Sequence, residues 1–242
     1  MSENSSLKLA LCLSGQPRSY KKAHEYLKKN LLDPFHVHVF IHTWRPTISR
    51  LFTFDDIQRL YDPRQFVMED TLPEQINSDL HVPNASHPAN FCTSMFYSIH
   101  RSDEYRVREE TKTNEKYDFV IRSRFDLALN KRIDFGALKK GVVYVSKDTD
   151  GPNPLLNDQF AIADPDTMSV YSSTFLFLRW HATRGVSLCG HAMLEAQLQH
   201  FGIPVERIDI DHPFVDGKFN IGRHSLIRDD MSNWVDTKIW GY

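Results

Sequence analysis

Little in this sequence marks a specialised class of protein. Cysteine is scarce: Cys12, Cys92 and Cys189 are odd in number, far apart and set among apolar or small neighbours. That excludes a disulfide framework and points to buried free thiols in a reducing compartment. No apolar run reaches the ~18 residues of a membrane span. The opening MSENSSLKLALCLSG has no basic stretch ahead of its apolar segment, so no secretory leader is expected. The sequons at Asn4 and Asn84 carry little weight without one. The charges nearly cancel, 29 Lys and Arg against 31 Asp and Glu, for a net −2. Nothing there favours a nucleic-acid partner. Neither a P-loop nor a GxGxxG stretch occurs, and internal repeats and low-complexity linkers are missing.

What is present reads as one α/β domain spanning residues 1–242, a length suited to a single substantial core. LKLALCLSG is a short apolar run stopped by Gly15, the pattern of a buried strand. RSYKKAHEYLKKNLL places Tyr20, Ala23, Leu27 and Leu31 at helical spacing. FHVHVFIHTW is strand-like, with Phe35, Val37, Val39 and Ile41 on one side. The opening β-loop-α-β order implies a parallel sheet. DDIQRLYDP reads as a short helix, QFVMED as a strand, and the proline-interrupted stretch 72–90 as a surface loop. FCTSMFYSIHRSDEYRVREE is a long helix with Cys92, Met95, Phe96 and Ile99 on one face. Beyond YDFVIRSRFDLAL, KKGVVYVSKD and DQFAIA read as strands. DPDTMSVYSSTFLFL reads as one helix with Asp164 as N-cap and Pro165 in its first turn. GHAMLEAQLQHFGIPVERIDI is a helix closed by Gly202, then a strand. The tail from Asp211, with Trp234 and Trp240, is expected to pack over the sheet.

The stretch YDFVIRSRFDLAL, 117–129, poses the chemical question. Alternation puts Phe119, Ile121, Phe125 and Leu127 on one side and Arg122, Arg124 and Asp126 on the other. Buried charges need partners. An edge strand or a salt bridge at the strand's end would supply them. So would a ligand crevice at the strand's carboxyl end, where open α/β sheets bind ligands. Arginine forks suit a diphosphate, and a carboxylate beside them suits a divalent metal or sugar hydroxyls. SGQPRSY adds Ser14, Gly15 and Arg18 between a strand and a helix start, a setting that favours anions. His42 and Trp44, at another strand's carboxyl end, are expected to line the pocket, Trp44 offering an apolar face to a base or sugar. His36, His38 and His42 lack the further ligands of a zinc site. DGPNP, 150–154, suits a lid or acceptor loop as well as a plain loop.

CLSGQPRSY, VHVFIHTW, YDFVIRSRFDLAL and NDQFAIADPDTM occur in an order that resembles a group of GT-A-like glycosyltransferases. That group acts in bacterial lipopolysaccharide and capsule synthesis, with relatives in large algal viruses of the chlorovirus type. The resemblance covers roughly residues 8–205. It implies a GT-A-like domain with a Rossmann-like N-terminal half and a mixed, mostly parallel sheet flanked by helices. About residues 7–130 would bind the nucleotide-sugar, and 131–242 would form the acceptor half and tail. It also implies a UDP-sugar donor, UDP-xylose being the first to test, a glycan hydroxyl as acceptor, and the cytoplasm of a bacterium or a virus-infected host. In GT-A enzymes an Asp-x-Asp at a strand end holds Mn²⁺ or Mg²⁺. Here Arg124-Phe125-Asp126 keeps only the second acid, so Asp126 is the metal candidate and Arg124 can take part of the metal's charge. Asp158, in the implied acceptor region, is the candidate base for an inverting transfer, a turn or capping role being its alternative. Glu195 and His191 come second.

Two other readings share these features. One is a nucleotide-dependent phospho- or sulfotransferase, although no phosphate-binding signature supports it. The other is a non-catalytic nucleotide-sugar or carbohydrate module, which the missing first aspartate would suit.

Overall fold

The apolar run before Gly15 forms β1 (Lys8–Ser14), buried on both faces from Leu9 onward. In the computed structural model, residues 7–45, 52–70, 89–147 and 156–210 are described. Helix α1 (Tyr20–Leu27) continues into a wider turn, Lys28–Leu32, and buries Tyr20, Ala23, Leu27 and Leu31, the face its spacing implied. Strand β2 (His36–Trp44), helix α2 (Phe54–Tyr61) and strand β3 (Gln65–Glu69) follow. The long helix α3 (Ala89–Thr113) leads into β4 (Phe119–Ser123). Strands β5 (Val143–Ser146) and β6 (Phe160–Ala163) precede helices α4 (Pro165–Ser172), α5 (Thr174–Ala182) and α6 (Gly190–His200), and β7 (Val205–Ile208) closes the described chain.

Among the described residues the strands form one seven-stranded sheet in the order β3-β2-β1-β4-β6-β5-β7. Strand β1 pairs parallel with β2 and β4, and β2 pairs parallel with β3. Strand β6 runs antiparallel to β4 and β5, while β5 pairs parallel with β7. The expected mixed, mostly parallel α/β sheet is therefore present. One apolar cluster joins Leu9, Leu11, Leu13 and Ile121 to α1 and α2. The other joins Ala10, Cys12, Phe40 and Val120 to α3, α4, α5 and α6. A sheet covered on both faces explains strands that are apolar at nearly every position.

Three expectations are corrected. The strand of 117–129 ends at Ser123, because Arg124 turns back to bond Asp126 two residues on. The alternation survives the break: Phe125, Leu127 and Leu129 still join the cluster of Phe119 and Ile121. The single helix after Asp164 is two, α4 and α5. Ser173 sits at the junction with its hydroxyl on the Val170 carbonyl (2.8 Å), and Thr174 bonds the Tyr171 carbonyl (2.7 Å). Such back-bonding by Ser and Thr competes with the helix ladder. Asp158 stands two residues ahead of β6 rather than at its start. Asp164 does cap α4, accepting from the Thr167 N–H at 3.2 Å.

All three cysteines are free thiols. Cys12 and Cys92 are buried, and Cys189 is only half-buried, as the N-cap of α6. Among the described residues no helix is long and apolar enough to cross a membrane. Most of the loop 72–90, the DGPNP stretch and the tail from Asp211 lie outside the described residues.

Candidate functional site

The chain runs from β1 outward to β2 and β3 on one side, then crosses back to place β4 on the other side of β1. Loops leaving β1 and β4 therefore diverge, and a crevice opens at the carboxyl ends of the two strands. Open α/β sheets bind ligands at this switch point. A cavity of about 200 Å³ lies there, lined by β1-end residues Ser14, Gly15, Gln16 and Arg18, by Trp44 of β2, by Phe91, Ser94 and Met95 of α3, and by Arg122 and Arg124. Its volume falls below the about 300–1,000 Å³ of drug-sized pockets. Six of the sequence-selected residues meet on it: Ser14, Gly15, Arg18, Trp44, Arg122 and Arg124.

Arg122 is the most constrained of them. Its side chain is 2% exposed, Nη1 donates to the Asp158 carbonyl, and Nε has no hydrogen-bond partner. Burial, with the Arg124 charge nearby, pushes its pKa down. The Ser14 hydroxyl, on the same wall, is likewise buried without a partner. A buried group left unsatisfied costs about 1–3 kcal/mol, more if charged. The wall is thus built around donors that await an acceptor.

Arg124, 26% exposed at its side chain, forks onto Asp126 through Nε and Nη2, both at 2.7 Å. Burial works against its charge, but Asp126 outweighs that and the pKa moves up. Asp126 itself is 1% exposed and both of its oxygens face Arg124. This differs from the expected metal ligand. Among the described residues no group of three or more His, Cys, Asp or Glu side chains could hold a metal ion. The described residues do not fit a Mn²⁺ or Mg²⁺ site at Asp126.

His42 was expected on the pocket wall but lies one layer behind it, fully buried. Gly15 (φ +96°) adopts a backbone that favours glycine. Its N–H donates to Ser98 Oγ at 2.9 Å, and its carbonyl accepts from Thr43 Oγ1 at 2.7 Å. Ser98 in turn meets His42 Nδ1 at 2.8 Å. On the other side of the ring, Nε2 is 3.6 Å from Glu69, which also takes the Tyr97 hydroxyl at 2.7 Å and Arg101. His42 and Tyr97 draw the Glu69 carboxyl down to about 2, against the pull of burial. Burial holds the His42 pKa below its usual value. Trp44, 5% exposed, stacks on Tyr97 at 5.5 Å. The Gly15 turn is therefore clamped from behind, and its N–H is already committed to Ser98.

Asp158 is partly exposed, and its carboxylate rests against Gly190. A Cβ placed on Gly190 would lie 1.9 Å from Asp158 Oδ2 and 2.9 Å from Met95 Cε. Asp158 also lies close enough to Arg122, Arg124 and Cys92 to act on their charges. His191 is used locally, meeting the Leu156 carbonyl at 2.6 Å. Glu195 is exposed on α6 and accepts from Gln199. Asp158, His191 and Glu195 are all absent from the cavity lining.

Sequence reasoning missed Ser98, Glu69, Tyr97, Phe91 and Ser94. A trace was there: Ser94, Ser98 and Ser102 recur every four residues along α3 beside the apolar Met95, Phe96 and Ile99, and all three are buried. Small polar residues so placed let a helix approach a sheet and bond to it.

The fold and site define an α/β protein with an arginine-lined cavity at the sheet's switch point. The chain matches, over residues 4–216, the family described as "Domain of unknown function (DUF7796)", and it belongs to that family. No curated protein matches it in sequence. Among solved structures it is similar to mouse xyloside xylosyltransferase 1 in its apo form. The TM-score is 0.45 and the identity 11%, over 84% of this chain and 85% of that one.

Proposed function

We propose that this protein is a glycosyltransferase that moves a sugar from a nucleoside-diphosphate donor, a UDP-sugar in the first instance, to a glycan hydroxyl. The observation that carries the reading is Arg122. A guanidinium this buried, with Nε unpartnered, lines the cavity at the switch point beside an equally unpartnered Ser14 hydroxyl. A diphosphate supplies the acceptors both groups lack. Trp44, Phe91 and Met95 offer the apolar side of the same cavity to a sugar or base ring. The order of motifs along the chain, which resembles GT-A-like enzymes, supports the same assignment. In this reading the donor lies on about residues 7–130 and the acceptor binds beyond them.

In the reaction, the acceptor oxygen attacks the anomeric carbon and the bond from that carbon to the diphosphate oxygen breaks. The electron pair goes to the diphosphate, where Arg122 and Arg124 stabilise the growing charge. The acceptor's proton passes to the Asp158 carboxylate, and the anomeric configuration inverts.

A thermal-shift panel of nucleoside diphosphates and their sugars tests this, because a ligand that binds only the native state raises its melting point. UDP and one UDP-sugar, UDP-xylose being tried first, are expected to stabilise the protein, with slow hydrolysis of that sugar donor in solution. Stabilisation without hydrolysis or transfer would make the chain a binding module. Turnover only with ATP or a sulfate donor would replace the assignment.

A further inference from the structure

Three features of the cavity bear on how a diphosphate is held there. First, Asp126 has both oxygens on the Arg124 fork at 2.7 Å and is 1% exposed. Ligating a cation would break a bidentate, charge-assisted pair and leave Arg124 without its partner. Second, the unsatisfied atom on the arginine wall is a donor. Arg122 Nε can only give a hydrogen bond, so an anion's oxygen relieves it and a metal ion does not. Third, three guanidinium groups, those of Arg18, Arg122 and Arg124, line the same cavity. A dication beside them meets like charge, whereas a diphosphate meets opposite charge.

We infer that the cavity takes the diphosphate group of its ligand directly on Arg122 and Arg124, with no divalent cation between them. The inference rests on the reading of the ligand as a nucleoside diphosphate. Asp126 is then a positioning residue: it touches no ligand and fixes the plane of the Arg124 guanidinium toward the cavity. Burial favours this division of labour, because a guanidinium keeps its charge in a dry wall and its planar fork matches the oxygens of a diphosphate.

Calorimetric titration of UDP and of inorganic pyrophosphate into the full chain, in EDTA and again in Mn²⁺ or Mg²⁺, tests the inference. Both probes are expected to bind in EDTA, with affinities that change less than about threefold when the cation is added. Arg122→Ala should weaken both by at least about tenfold in EDTA, and Arg122→Met, which fills the same buried space, should do the same. Binding of UDP only when Mn²⁺ or Mg²⁺ is present would overturn the inference and leave the functional proposal standing. Pyrophosphate binding in EDTA without any binding of UDP would keep metal-free binding of a bare diphosphate but overturn the nucleotide reading on which the inference rests. Failure of both probes in every buffer, or full binding by both Arg122 variants, would overturn the two together.

Discussion

Arg122 donates through Nη1 to the main-chain carbonyl of Asp158, a residue 36 positions away in the chain. One guanidinium thus faces the cavity and also pins the segment that carries the candidate base. Ligand binding and base placement share a side chain, so variants at either residue can be told apart by which measurement they disturb.

Replacing Arg122 by methionine removes a buried cation that no carboxylate oxygen contacts directly. Exchanging buried charge for a packed hydrophobe is often neutral or stabilising, by about 1–4 kcal/mol. Urea unfolding of the ligand-free Arg122→Met protein should show stability equal to or above that of the parent, while UDP binding is lost. A large drop in stability would mean the guanidinium is compensated within the fold.

Asp158→Asn keeps the shape of the side chain and its main-chain link to Arg122. We expect UDP affinity to hold while transfer falls by about 10²–10⁴-fold. Parent-level turnover would take the base assignment away from Asp158.

Gly190→Ala drives a methyl group into the Asp158 carboxylate and the Met95 tip. The overpacking should cost about 1–3 kcal/mol and move the carboxylate. Turnover is expected to fall much more than UDP affinity. Equal losses in both would show that Gly190 only serves packing.

Ser98→Ala leaves the Gly15 N–H facing a methyl group behind the cavity wall. An orphaned buried donor should lower stability by about 1–3 kcal/mol, and UDP affinity should drop with it because Gly15 lines the cavity. Ser98→Thr, which retains the hydroxyl, should recover part of each.

Acid should destabilise the fold in two steps. Burial lowers His38 from 6.5 to about 4, helped by Arg64 and His36. The unfolded chain therefore takes up a proton in that window while the folded one does not, and stability falls as pH drops from 6.5 toward 4. Glu69, depressed from 4.5 to about 2 by His42 and Tyr97, keeps its contribution above 4.5 and loses it as pH falls toward 2. Urea midpoints measured across pH should show a shallower upper slope in His38→Gln, the remainder coming from His24, His42 and His100, which burial also lowers, and a shallower lower slope in Glu69→Gln. A flat profile in the parent protein between pH 6.5 and 4 would contradict the His38 part.

Much of the scaffold was legible because periodicity reports burial. The spacing of Tyr20, Ala23, Leu27 and Leu31, and the alternation through Val37, Val39 and Ile41, named faces that are buried in the fold. The cap at Asp164 and the turn at Gly202 (φ +65°) were equally local. The helix break at Ser173 was not, since Ser173 and Thr174 read as helix until their hydroxyls find main-chain carbonyls. His42 was misplaced by one layer for a related reason: a residue at a strand's carboxyl end can face the crevice or the helix packed behind it.

By itself the sequence determined which residues share a face and which strand ends carry charge, because those follow from the repeat of the backbone and the chemistry of single side chains. Tertiary structure alone decided the partners. Arg124 closing on Asp126, Arg122 reaching Asp158, and Ser98 joining Gly15 to His42 depend on where separate elements meet. Periodicity within an element carries no information about its neighbour, so a carboxylate that reads as a metal ligand along the chain becomes, in the fold, the counter-ion of an arginine.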